Sequence, residues 1–175
     1  ALMREHLREL DREAEVPWPR LVPRDFRFAV KLTQVFTHER GVFPSRATVD
    51  EFDAGIAPLR EADLLGPLLM QFPWSFRYTP DAIAWLHRLA ESFAAYDRFI
   101  EVRHASWAAP EALAELRKVG GYCNIDQPAL RDCLGPTQHA FGRNAYVRLH
   151  GRNARNWFAE GVPAFERYNY LYSPD

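Results

Sequence analysis

From residue 26 onward, short β-prone runs alternate with stretches whose apolar residues recur at helical spacing. The run LGPLLMQFP, residues 65–73, is continuously apolar between Gly66 and Pro73 and predicts a strand buried on both faces. FRFAVK (26–31), FIEVR (99–103), YCNID (122–126) and NAYVRLHG (144–151) predict four further short strands. Between them, TVDEFDAGIAPLREAD places Phe52, Ile56 and Leu59 on one helical face, with Thr48 as the expected N-cap, Glu51 three residues on, and a kink expected at Pro58. TPDAIAWLHRLAESFAAY predicts a helix capped by Thr79, with Pro80 in its first turn and Ile83, Leu86, Leu89 and Phe93 on one face. APEALAELRKVGG predicts a short helix from Pro110 to Gly120. At the head of the chain, Leu2, Met3, His6, Leu7 and Leu10 predict an amphipathic helix ending before Pro17. This rhythm implies parallel strands with crossover helices, an α/β fold in a single domain over residues 1–175. Its weakest link is LRDCLGPTQHAFG, which shows little helical periodicity.

Each predicted strand also carries polar residues: Lys31, Gln71, Glu101 with Arg103, Asn124 with Asp126, and Arg148 with His150. Side chains alternate along a strand, so the polar positions of each are expected to share a face while their apolar neighbours meet the covering helices. In parallel α/β proteins ligands sit at the carboxyl ends of strands, where these residues fall. Purely structural readings stand beside this one. Glu101 with Arg103, or with Lys31, would be an ion pair that fixes strand order, and Gln71 would satisfy loop backbone groups.

Composition narrows the class. At 175 residues, 47% hydrophobic and 14% aromatic, the chain can bury a sizeable core. A net charge of −1 draws in neither DNA nor an anionic membrane through a global field. Two cysteines, Cys123 and Cys133, imply a reducing compartment rather than a disulfide scaffold. No apolar run approaches a membrane span and no leader is evident, so a cytoplasmic protein without membrane contact is expected. The Ala-, Arg- and Pro-rich composition, with Lys31 and Lys118 the only lysines, is expected of a bacterial source. His38, His104 and His150 with Glu101 and Asp126 offer metal-ligand types, but their spacing is not diagnostic and no metal site is assigned. No phosphate loop, GxSxG elbow or nucleotide fingerprint is present, which removes several common enzyme classes and leaves any cofactor unknown. Trp74, Trp107, Tyr168, Tyr170 and Tyr172 read as core or rim aromatics rather than a base-stacking platform.

Taken in order, FRFAVK with FTH at 36–38, LGPLLMQFPWSF, FIEVRHASW, Asp126 before Pro128, YVRLHG and the closing YNYLYS resemble the YecE-like family, a domain of unknown function. The resemblance runs from Phe26 onward and implies a TIM-type (β/α)8 barrel with a pocket at the carboxyl ends of the strands. It places the family's characteristic polar positions at Lys31, Thr37, His38, Gln71, Glu101, Arg103, Trp107, Asp126, Arg148, His150 and Gly151. The family's first two strands and its last have no counterpart here, so strands three to seven are expected. Five strands cannot close such a barrel, and the chain, which opens on Ala1, is expected to be a fragment or a truncated homologue.

The functional expectation is a hydrolase-like enzyme acting on a small anionic molecule. Lys31, Arg103 and Arg148 would hold a phosphate or carboxylate, with Gln71 and Trp107 also contacting substrate. Glu101 or Asp126 would act as general base and His150 as general acid. Two alternatives compete: a nucleic-acid-binding or processing barrel, by analogy of fold alone, and a non-catalytic barrel whose polar cluster is structural.

Overall fold

The computed structural model describes residues 21–173, so the helix expected between Leu2 and Val16 lies outside the described residues. The chain falls into two compact units, Ala1–Leu68 and Leu69–Asp175, taken here in turn. It is an α/β fold with five strands in the order β1-β2-β3-β4-β5. Among the described residues no helix is long and apolar enough to cross a membrane.

The first unit carries β1 (Phe28–Lys31), the single-turn helix α1 (Gln34–Thr37), α2 (Arg46–Glu61) and the start of β2 (Leu65–Gln71). The N-cap of α2 is Ser45 and not Thr48: the Ser45 hydroxyl accepts from the Thr48 N–H at 3.2 Å, which starts the helix one turn earlier. Val49, Phe52 and Ile56 are buried along α2, and Phe52 meets Phe36 edge-on. The helix runs on through Pro58, which lies within its last turn, where one lost backbone bond costs little cohesion. Backbone of β1 is tied to the approach to β2 by the Phe28 N–H donating to the Leu64 carbonyl at 2.8 Å.

The second unit holds the end of β2, then α3 (Pro80–Ser92), β3 (Arg98–Glu101), a 3-10 turn (Ala105–Ala108), α4 (Pro110–Val119), β4 (Gly121–Asp126), β5 (Tyr146–Leu149) and the short α5 (Ala164–Arg167). Thr79 caps α3 as its position predicts, accepting from the Ala82 N–H at 3.2 Å. Helices α3 and α4 bury Leu86 and Leu89, and Leu116 and Val119, and pack on one another. Arg98 then reaches from the start of β3 to the carbonyls of Phe93, Tyr96 and Val119, satisfying acceptors left open where both helices end. Gly120 makes the next turn possible, because a Cβ there would lie 2.7 Å from both the Arg98 carbonyl oxygen and Ile100 Cδ1.

Strands β3, β4 and β5 are parallel, with Phe99 opposite Gly121, Cys123 opposite Tyr146 and Ile125 opposite Arg148. No helix joins β4 to β5. Residues 127–145 form an irregular connection instead, as the missing periodicity of that segment foreshadows. Polar groups of β4 hold it: the Asn124 side chain exchanges hydrogen bonds with the backbone of His139 at 2.7 and 2.8 Å, and the Ile125 N–H donates to the Thr137 hydroxyl at 2.9 Å while the Thr137 N–H donates to the Ile125 carbonyl at 3.1 Å.

Candidate functional site

Glu101 ends β3 with no solvent exposure, and four groups converge on its carboxylate. Arg103 approaches Oε1 with Nε at 2.9 Å and Nη2 at 2.8 Å, Arg148 places Nη1 2.5 Å from Oε2, and His150 places Nε2 3.1 Å from Oε1. Behind them, the Cys123 thiol lies 3.9 Å from Oε2. An ionised carboxylate only accepts hydrogen bonds, so its contact with His150 is a hydrogen bond when Nε2 carries the proton; Arg103 Nη2, itself a donor, lies 3.3 Å from the same nitrogen.

The strands explain why these residues meet. Opposed residues in a sheet project to the same face, so the register puts Glu101 beside Cys123, and Ile125 beside Arg148. His150, two residues after Arg148, returns to that face. The Glu101 backbone is itself held, its carbonyl accepting from the Phe72 N–H at 2.9 Å just past β2.

Burial alone would push the Glu101 pKa up. The His150 hydrogen bond and the charges of Arg103 and Arg148 outweigh it and hold the group at about 2. Arg148 responds in the opposite sense: burial lowers its pKa, but pairing with Glu101 raises it overall. Burial, helped by the neighbouring Glu101 charge, pushes the Cys123 thiol up to about 12, so this sulfur is a protonated packing group and no nucleophile.

The arginines do not spend themselves fully on Glu101. Their side chains are 14% (Arg103) and 32% (Arg148) exposed against none for the carboxylate. With one anion and two guanidinium groups, the cluster carries excess positive charge on its solvent side. Arg103 also lies over the buried Trp157 ring at 5.7 Å.

Not every residue singled out by the sequence joins this cluster. Asp126 stands opposite Leu149, on the other face of β4 from Cys123 and Ile125, and pairs with Arg152 at 2.9 to 3.1 Å. Asn124 and Asp126 do share one face of β4, as polar positions two apart should, but it is the face opposite Glu101, whereas Arg148 and His150 of the β5 segment turn toward Glu101. In β4 the inner positions are apolar, and Asn124 holds the long connection. Val147 and Leu149, expected beneath a covering helix, are exposed. Gln71 is buried and donates to the Phe72 carbonyl at 3.0 Å, the structural reading of that residue. Trp107 is fully buried, stacks with Phe76, and donates its ring N–H to the Phe76 carbonyl at 2.7 Å. Lys31 is an exposed residue at the end of β1 in the first unit, and Thr37 and His38 bond one another there at 2.8 Å. His104 caps the 3-10 turn through Ser106. Among the described residues no three His, Cys, Asp or Glu side chains group so as to hold a metal ion.

Two participants escaped the sequence reading. The sequence reading used Cys123 only as evidence of a reducing compartment, and Trp157 sits in RNWFAEG, which has no periodicity to mark it. For Cys123 the signal was present in its even spacing from Ile125.

A family model described as "Protein of unknown function DUF72" matches residues 9–175. The chain is similar to the crystal structure of a DUF72 family protein from Thermotoga maritima, with 34% identity and a TM-score of 0.80 over 93% of this chain and 64% of that one. It is also similar to a DUF72 family protein from Enterococcus faecalis, at 24% identity and a TM-score of 0.76 over 97% of this chain and 63% of the other, a likeness of fold alone. The chain thus spans under two thirds of the length of these relatives. No curated protein matches it.

Proposed function

The chain belongs to the family described as "Protein of unknown function DUF72", and from the site itself we propose that it is a hydrolase-like enzyme acting on a small anionic molecule held at the carboxyl ends of its strands. The observation that carries this reading is the pair of part-exposed arginines, Arg103 and Arg148, anchored on one wholly buried carboxylate. Guanidinium groups fixed at one edge and open at the other are suited to a phosphate or carboxylate, because orienting them costs nothing further when the anion arrives.

The division of labour follows from the hydrogen bonds. A carboxylate held at about 2, with both oxygens occupied, is too weak a base at neutral pH to take a proton from water. Glu101 is a positioning residue here: it holds the arginines in place and keeps the His150 proton on Nε2. His150 is the proton-transfer group. Its Nδ1 accepts a proton as water attacks the bond beside the bound anion, and returns that proton to the departing oxygen as the bond breaks. The second unit alone supplies these residues. The nucleic-acid alternative draws no support from a net charge of −1.

Calorimetric titration with inorganic phosphate at low ionic strength tests the reading. Phosphate binds the unaltered chain and binds Arg148→Met at least about ten-fold more weakly. His150→Asn keeps phosphate binding but loses turnover of a chromogenic phosphate monoester. Equal phosphate affinity in the unaltered chain and Arg148→Met overturns the proposal.

A further inference from the structure

The His150 ring, whose Nε2 lies 3.1 Å from Glu101, also has two aromatic residues from the segment after β5 near it. Trp157 lies 6.2 Å from it and Tyr168 6.1 Å, and these two meet edge to face at 5.9 Å and 87°. Trp157 is buried, and Arg103 sits over its ring. Tyr168 is different: it is 48% exposed, although its ring also meets Trp157 and His150. A large ring held by two aromatic neighbours yet half-exposed offers surface for stacking, with part of its ordering cost already met by the fold.

Resting on the anion-binding reading above, we propose that Tyr168 forms a planar-ring subsite, so that the molecule bound is an aromatic ring tethered to an anionic group, in the manner of a mononucleotide. The two halves of such a ligand find complementary partners in one place. Its anion meets the open edges of Arg103 and Arg148, and its ring lies on Tyr168, with His150 between them at the bond that joins the two. Stacking on an aromatic residue tolerates different rings, because every base has a π-face, and it adds to affinity without adding charge. The sequence reads Tyr168 as a core or rim aromatic rather than a base-stacking platform; its exposure in the structure is what makes the stacking role available.

Three probes separate the subsite from the anion site: inorganic phosphate, ribose 5-phosphate and adenosine 5′-monophosphate, each titrated calorimetrically into the unaltered chain, Tyr168→Ala and Tyr168→Phe. Adenosine monophosphate is expected to bind the unaltered chain about ten-fold more tightly than ribose 5-phosphate. Tyr168→Ala loses that advantage while inorganic phosphate affinity stays the same, and Tyr168→Phe, which keeps the ring, retains it. Equal binding of adenosine monophosphate and ribose 5-phosphate, or an advantage that survives in Tyr168→Ala, overturns the subsite and leaves the anion site standing. Failure of all three probes to bind overturns both.

Discussion

His150 Nε2 lies 3.1 Å from Glu101 Oε1, although 49 residues separate the two in the chain. Parallel strands β3, β4 and β5 make the contact, bringing the end of β3 and the residue after β5 onto one face of the sheet. The carboxylate they share with Arg103 and Arg148 is the electrostatic centre of the second unit, and its ionisation is tied to folding.

Acid unfolding reads that tie directly. The Glu101 pKa falls from an ordinary 4.5 to about 2 on folding. A depressed carboxylate stabilises fully above its unfolded pKa and loses that contribution as pH falls through the folded one. The contribution is on the order of 3 kcal/mol above about pH 4.5 and fades toward pH 2. Glu101→Gln removes this pH dependence and lowers stability at neutral pH by about 3 kcal/mol, since two arginines lose their counter-charge. Urea unfolding from pH 7 to pH 2.5 checks both effects, and an identical acid slope in the variant would contradict the assigned charge network.

The two thiols should react at very different rates. Cys123 is sealed beside Glu101, with its pKa pushed up to about 12, whereas Cys133 is part-exposed and raised less far. Alkylation of the native chain at pH 8 is expected to label Cys133 first, with Cys123 reacting only on unfolding. Peptide mapping of the labelled chain reports the order.

Trp107 and Asp126 separate packing from binding. Trp107→Phe removes the ring N–H that donates to the Phe76 carbonyl and costs about 1 to 3 kcal/mol of stability, with phosphate affinity unchanged. Asp126→Asn weakens the tie to Arg152 on the opposite sheet face, again without altering phosphate affinity. A ten-fold loss of phosphate affinity in either variant would place that residue in the site.

Gly151 controls the aromatic segment. Its φ of 77° disfavours any side chain, and a Cβ would stand 2.7 Å from Tyr170 Cβ. The Gly151 N–H also donates to the Tyr172 hydroxyl at 3.0 Å. Gly151→Ala should therefore displace residues 168–172 from β5, at a cost of about 1 to 2 kcal/mol from backbone strain alone. Limited proteolysis should cut this segment faster in the variant, and an unchanged rate would show that the glycine is not what seats it.

Much of this architecture was readable from residue order, because its causes are local. Thr79 followed by Pro80 starts α3 by cap chemistry and a preset φ. LGPLLMQ forms a strand whose last four residues are buried, because a run that is apolar up to Gln71 suits burial on both faces. Alternation within FIEVR put Glu101 and Arg103 on one side, and that pairing stands. Local signals also misled where two candidates competed. Ser45 and Thr48 both suit an N-cap, and only the path of the chain before α2 selects Ser45.

What sequence determined, then, was the alternation of strand and helix, the identity of the strand-end polar residues, and the resemblance to a family. The tertiary structure alone decided which of those residues meet. Asp126 reads like Glu101 in the sequence, a carboxylate closing a short strand, but register turns it to the opposite face and hands it to Arg152, while Arg148 and His150 turn toward Glu101. A shift of one residue reverses the face of every side chain in a strand. That shift depends on how three strands align, which no single stretch of sequence encodes.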